Sequence, residues 1–237
     1  SVVNQKGGVG KTTTCINLAS SLAKAKRNVL LIDLDPQSNA TRGCGVYPEN
    51  VNVSLNDVLM NVNNINEAIL KIIHGFSVLP ATPELTESEV KLLNSDEKEF
   101  HLKSTIMTIH ESYDYVLIDC PPSLDLLTVN ALATAQAVLV PLQCEFYALE
   151  GVSQLIRTIE NVRKAFNPKL EIQGIVLTMH DSRNNLSSIV AADVRSYFGD
   201  KVYNTIIPRN VRVSEAPSHG MPVLIYDITS AGAQAYL

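Results

Sequence analysis

A chain of 237 residues with 46% hydrophobic and 18% charged side chains has a globular composition and the length of one sizeable α/β domain. Its longest apolar runs, such as residues 29–32, fall far below the ~18 consecutive apolar residues of a membrane-spanning helix, and no basic stretch leading into an apolar one opens it as a secretion signal would. The net charge of −5 argues against a protein that coats nucleic acid, but residues 1–150 carry 10 basic and 17 acidic side chains while residues 151–237 carry 9 and 7, which directs any polyanion contact to the last third.

Short β-branched runs alternate with helix-length segments, the pattern of a mostly parallel, twisted sheet covered by helices on both faces, and no repeat or Gly/Ser linker divides residues 1–237. In chain order the pattern predicts a strand at residues 2–3, a helix at 11–24, a strand at 28–33, helices at 55–59 and 66–73, and a strand at 76–80. A charge-rich surface helix is expected over 87–111, then a strand at 115–119, a helix at 126–133, a strand at 137–142 and a helix at 149–165. The last third reads as a strand at 172–178, a helix at 186–197, a shorter strand near 203–207 and a terminal helix from Ser230. Pro121-Pro122 and Asn167-Pro168 mark breaks, because proline continues neither a helix nor a central strand. Ser1 already sits in an apolar run and Leu237 inside a helical pattern, as expected of a chain trimmed at both ends.

Residues 4–14, NQKGGVGKTTT, lie between the first strand and the first helix, the context of a phosphate-binding loop. The strict pattern G-x-x-x-x-G-K-[ST] fails only at its first position, where Gln5 stands for glycine, and a second lysine, Lys6, follows. Gly7, Gly8 and Gly10 allow a tight turn that points backbone N–H groups at phosphate oxygens, and the helix adds its positive end. The phosphate-binding set is therefore Gly7, Gly8, Val9, Gly10, Lys11, Thr12 and Thr13, with Lys11 on the β- and γ-phosphates and Thr12 on Mg²⁺. Two further strands end in carboxylates: YDYVLID in Asp119, the position of a Walker-B aspartate, and VLLIDLD in Asp33 and Asp35, which lie 22 and 24 residues beyond Lys11. Buried carboxylates are costly unless they meet a metal, a water or a donor. The metal set is thus Thr12, Asp33 and Asp119, with Asp33 alternatively holding a switch loop, and Asp35 is the candidate to orient an attacking water.

With these motifs the chain resembles the ParA/Soj-type partition ATPases, within the deviant Walker-A class that includes MinD and the nitrogenase iron protein. The matching stretches are KGGVGKTTT, DLDPQSNAT, DCPPSLDLLTVNAL, QCEFYALEG and IPRNVRVSEAPSHG, spread over residues 6–220. The resemblance implies ATP/ADP and Mg²⁺ as cofactors, and a homodimer formed with ATP in which Lys6 crosses to the partner's phosphates beside a closely packed Gly7. Lys6, Lys11 and Asp35 would then be the catalytic residues, and Met179, Pro208 and Asn210 would line the adenine. Arg183 and Arg212 match positions that the family uses on DNA, with Lys169, Arg195, Lys201 and Arg209 able to widen the patch and Arg209 equally able to serve the nucleotide pocket. A ParB-like centromere-binding partner would stimulate hydrolysis, in the cytoplasm and without a membrane.

Two alternatives belong to the same superfamily. A MinD-like, membrane-cycling division regulator would need a basic amphipathic helix at the C-terminus, and SAGAQAYL supplies no basic stripe. A reductase like the nitrogenase iron protein would need two cluster-binding cysteines per chain. Cys15, Cys44, Cys120 and Cys144 have no metal-ligand spacing and read as small buried hydrophobes, and the five histidines are scattered. Residues 46–73 depart most from the family pattern.

Overall fold

A computed structural model of the chain describes all residues from 1 to 237. Its elements begin with α1 (Lys11–Lys24), β1 (Val29–Asp33), α2 (Asn39–Gly43), α3 (Leu55–Leu59), α4 (Ile65–Ala68), β2 (Leu70–Lys71) and β3 (Ser77–Leu79). They continue with α5 (Leu85–Leu92), α6 (His101–Ile106), β4 (Tyr115–Asp119), α7 (Leu126–Thr134), β5 (Ala137–Gln143) and α8 (Ala148–Ala165). The chain ends with β6 (Glu171–His180), α9 (Asn185–Phe198), β7 (Val202–Pro208), α10 (Val211–Glu215), α11 (Val223–Tyr226) and α12 (Ala231–Tyr236).

The strands form two ladders, β2-β3-β1-β4 and β5-β6-β7, and the first three residues join them. Val2 bridges Asp119 on one side and Leu139 on the other, both in parallel. Its N–H reaches the Ile118 carbonyl at 2.9 Å, and the Val3 N–H reaches the Leu139 carbonyl at 3.1 Å. The expected strand at residues 2–3 is thus the central seam of one continuous sheet. All pairings are parallel except β2 with β3 at the edge.

Alternation along β1 explains the layers. Leu30 and Ile32 enter a large core with Leu55, Leu85, Leu102, Leu127 and Leu155 from the helices on one face. Val29 and Leu31 point the other way, into a smaller core with Cys15, Ile16 and Ala19 of α1. A strand buried on both sides is the normal consequence of helices on both faces of a parallel sheet. A third apolar cluster, Ala216, Val223, Leu224 and Ala233, gathers the C-terminal helices. All four cysteines are free and buried.

Two expected helices are different in the structure. Residues 66–73 give α4 and then β2, which runs antiparallel to β3 in a hairpin turned by Gly75 at φ +88°. The expected surface helix over 87–111 is split into α5 and α6, whose Leu85, Leu92, Leu102 and Ile106 belong to the large core. The break falls at Asn94-Ser95-Asp96, residues whose side chains compete for backbone partners. Ser95 Oγ donates to the Leu92 carbonyl at 2.8 Å, and Glu97 takes φ +50°. Short helices α2, α10 and α11 had no periodic signal. No helix is long and apolar enough to cross a membrane.

Buried Asn130 of α7 clamps the broken segment. Its Oδ1 accepts from the Leu102 N–H at 3.1 Å, while its Nδ2 donates to the carbonyls of Lys98 and Leu126 at 2.8 and 3.0 Å. Asn130→Ala removes the side-chain partner of the Leu102 N–H and the Lys98 carbonyl and should lower stability by about 2 kcal/mol. Urea unfolding checks this as a fall in midpoint at unchanged slope; an unchanged midpoint would remove Asn130 as the clamp.

Candidate active site

All the candidate residues on strands lie at the carboxyl edge of the sheet, where parallel α/β folds place their ligands. The chain leaves the seam at Val3, turns through residues 4–10 and enters α1. Asn4 fixes the turn at its start: its Nδ2 donates to the Pro141 carbonyl at 2.8 Å, and its Oδ1 accepts from the Lys6 N–H at 3.0 Å. Thr178 fixes it further along, its hydroxyl donating to the Val9 carbonyl at 2.8 Å. Val9 is itself buried, so its side chain anchors the loop in the core and only its backbone faces the turn. Gly8 and Gly10 take φ +74° and +90°, which other residues adopt only with strain. Gly7 is different. Its φ is ordinary and an added Cβ would meet nothing within 4 Å, so nothing in its own chain requires glycine there.

The two lysines of the loop point to different places. Lys11 is 7% exposed, and its Nζ donates to the Lys6 carbonyl at 3.1 Å. Burial pulls its pKa down, opposed mainly by the charge of Asp119. Lys6 is exposed, and its ammonium pairs with Glu145 beyond β5. Neighbouring Gln5 donates through Nε2 to the Gly151 carbonyl and to Gln154 Oε1 of α8, both at 3.2 Å.

Asp33 and Asp119 sit side by side in register at the ends of β1 and β4, both fully buried. Asp33 is satisfied by the loop that follows it: Oδ2 accepts from the N–H and hydroxyl of Thr41, each at 2.7 Å, and Oδ1 from the Asp35 N–H at 3.2 Å. Asp119 has no such partners. Neither oxygen has a hydrogen-bond partner, and the nearby Thr12 hydroxyl lowers the pKa of the carboxyl only in part. Burial pushes the pKa of Asp119 well up, and the charge of Asp33 adds to the shift. A buried, unpartnered carboxyl beside Lys11 and Thr12 fits a hydrated divalent cation. Asp35, also buried, accepts from the Gln37 N–H at 2.9 Å through Oδ1 and shapes the turn toward Ser38, whose N–H bonds the Asp35 carbonyl at 2.8 Å.

A cleft of about 180 Å³ beside the loop brings together Gly10, Thr13, Met179, Pro208 and Asn210. Met179 takes φ +50° at the end of β6, and its methyl group lies 3.8 Å from where a Gly10 Cβ would be. Asn210 has a second task, its side chain accepting from the Val213 N–H at 3.3 Å to cap α10. Arg183 and Arg212 lie outside the cleft and are exposed, Arg183 in the turn before α9 and Arg212 on α10.

Arg209, offered by the sequence both to the basic patch and to the nucleotide pocket, lines the cleft, and so does Tyr236, for which the sequence carried no signal. Tyr236 is within 3.1 Å of the Thr14 hydroxyl, and Ser21 donates to its carbonyl at 2.7 Å, so α12 is docked on α1. Asn17 of α1 accepts from the Val223 N–H at 2.7 Å, fastening α11 to the same helix. These contacts join residues more than 200 positions apart, and only the packed fold reveals them.

Comparison with known proteins agrees with this geometry. A family profile described as an AAA domain matches residues 1–172. The chain is 55% identical to the chromosome partitioning protein ParA of Caulobacter vibrioides, covering 100% of this chain and 90% of that protein. It is 48% identical to the sporulation initiation inhibitor protein Soj of Bacillus subtilis, covering 100% and 94%. Among solved structures, cobyrinic acid a,c-diamide synthase from Mycobacterium smegmatis with bound ADP and magnesium superposes with a TM-score of 0.85 at 38% identity, over 92% of this chain and 90% of that one. With a P-loop α/β fold and this degree of likeness along its whole length, the chain belongs to the ParA/Soj family of chromosome-partitioning ATPases.

Proposed function

We propose that this chain is an ATP-dependent dimerising ATPase of DNA segregation, whose ATP-bound dimer holds DNA without sequence preference and lets go on hydrolysis. The observation that carries the reading is the divergence of the two loop lysines. Lys11 is buried among the carboxylates of its own site, whereas Lys6, five residues earlier, stands outside it beside an unfilled space at Gly7. A cation placed so is available to a second copy of the chain, and the space at Gly7 lets another backbone approach.

In this reading the N–H groups of residues 7–13 and the start of α1 hold the phosphates of ATP, and Lys11 neutralises the β- and γ-oxygens. Thr12 and Asp119 hold Mg²⁺, which supplies charge neutralisation at the transferring phosphoryl group. Asp33 acts through the loop it fastens, keeping Thr41 and Asp35 in place. Asp35 orients the attacking water, while Met179, Pro208 and Asn210 enclose the adenine. Lys6 of one copy leaves Glu145 and places its ammonium on the partner's phosphates, as an arginine finger does. Nucleotide would thereby become part of the interface, so that hydrolysis weakens the dimer. Arg183 and Arg212 would contact DNA phosphates, doubled in number by dimerisation. A ParB-like partner would accelerate hydrolysis, and the cycle would run in the cytoplasm on nucleoid DNA.

Separating the lysines tests the reading. Lys6→Ala should bind ATP within a few-fold of the parent yet stay monomeric in sedimentation, whereas Lys11→Ala should lose ATP binding itself. A Lys6→Ala chain that dimerises with ATP like the parent would contradict it. Asp35→Ala should form the ATP dimer and hydrolyse at least about 100-fold more slowly. Parent-rate phosphate release by that variant would remove Asp35 from the water-orienting role.

A further inference from the structure

Both arginines assigned to DNA are already occupied by carboxylates of their own chain. Arg183 grips Asp181 in a two-pronged contact, Nε to Oδ1 at 2.9 Å and an Nη to Oδ2 at 2.8 Å. The Arg183 backbone N–H adds a third bond to Oδ1 at 3.0 Å, so the loop is wound around this carboxylate. Arg212 donates to Glu215 at 2.9 Å and lies 3.4 Å from Asp227, and Tyr226 holds Glu215 in place with its hydroxyl at 3.2 Å. We propose that these carboxylates mask the phosphate-binding surface, Asp181 on Arg183 and Glu215 with Asp227 on Arg212, so that DNA must displace an internal partner at each contact. This rests on the DNA-binding reading given above.

The physical effect of each mask is small. Arg183 is 86% exposed at its side chain and Arg212 52%, and an exposed ion pair holds its members by no more than about five-fold in an equilibrium. A monomer offers two arginines and both are masked. A dimer offers four on one rigid body, and its second set binds at high effective concentration once the first has landed. Weak masks of this size therefore suppress binding by a single chain far more than binding by a dimer.

Their position also links them to the nucleotide. Asp181 lies two residues beyond Met179, and Arg212 two residues beyond Asn210, and both Met179 and Asn210 line the cleft. The Arg183 turn and α10 thus both begin at the wall of this cleft. The two segments are also joined to each other there, through the bond from the Arg209 N–H to the His180 carbonyl at 2.9 Å.

The test uses the full chain, a fluorescent duplex of random sequence and anisotropy in ADP and in ATP. Asp181→Asn keeps an oxygen acceptor for the Arg183 N–H while removing the charge, and Glu215→Gln does the same for its partner. Together they should raise affinity in the ADP state by on the order of ten-fold, with a smaller gain in ATP. Glu111→Gln, which changes the net charge as much as either of these substitutions alone and lies at an exposed residue outside these pairs, should raise it little. Asp181→Asn in an Arg183→Ala background should also give no gain, which separates an unmasked arginine from a general loss of repulsion. Equal gains with Glu111→Gln or without Arg183, or no gain at all, would overturn the masking while the parent still retains DNA in ATP. A parent chain that retains no DNA in ATP would instead remove the DNA reading, and the masking with it.

Discussion

The carboxyl of Asp119 ends β4 fully buried, beside Asp33 and with no hydrogen-bond partner for either oxygen. Such a group is destabilising alone, because it has given up water and gained nothing in return. The fold tolerates it because the surrounding elements bring compensating groups toward one point. Lys11 comes from the start of α1, Thr12 from the next position, and the open side of the site faces the phosphate loop. Asp33 sits in the same layer but is fully engaged by Thr41 and the Asp35 N–H. The two aspartates thus differ, one holding the loop and the other left without a partner in the chain.

That arrangement needs the seam formed by residues 1–3. Val2 joins β4 to β5, so the loop that follows Val3 emerges between the two ladders, directly over Asp119. Asn4 then ties the turn to β5 and Thr178 ties it to β6. A loop fixed at these points holds its N–H groups ready before any ligand arrives, which reduces the ordering that binding would otherwise require. The C-terminal helices complete the far wall of the cleft beside the loop and are fastened to α1 through Asn17 and Tyr236.

Much of this was legible in the sequence, for identifiable reasons. The phosphate loop, α1 and the aspartate-ended strands are local patterns, and their residues sit where the spacing placed them. The central strands are buried on both faces, so continuous apolar runs identified them. The edges were harder. Residues 66–73 and 87–111 have helical composition, but Gly75 and the Asn94-Ser95-Asp96 break set the structure there. The pairing of Lys6 with Glu145, the lining by Tyr236, and the carboxylates on Arg183 and Arg212 are contacts of the folded chain. Spacing along a sequence contains no signal for them, apart from the short-range pairs Asp181–Arg183 and Arg212–Glu215.

The central claim is that Lys6 serves the neighbouring copy while Asp35 serves its own. Mixing two inactive variants addresses it most directly. A Lys6→Ala chain combined with an Asp35→Ala chain forms one site per heterodimer that has Asp35 and Lys11 from the first chain and Lys6 from the second. ATP hydrolysis should therefore reappear on mixing, although each variant alone is inactive. If the mixture stays as inactive as its components under conditions where heterodimers form, Lys6 does not act across the interface and the account is wrong.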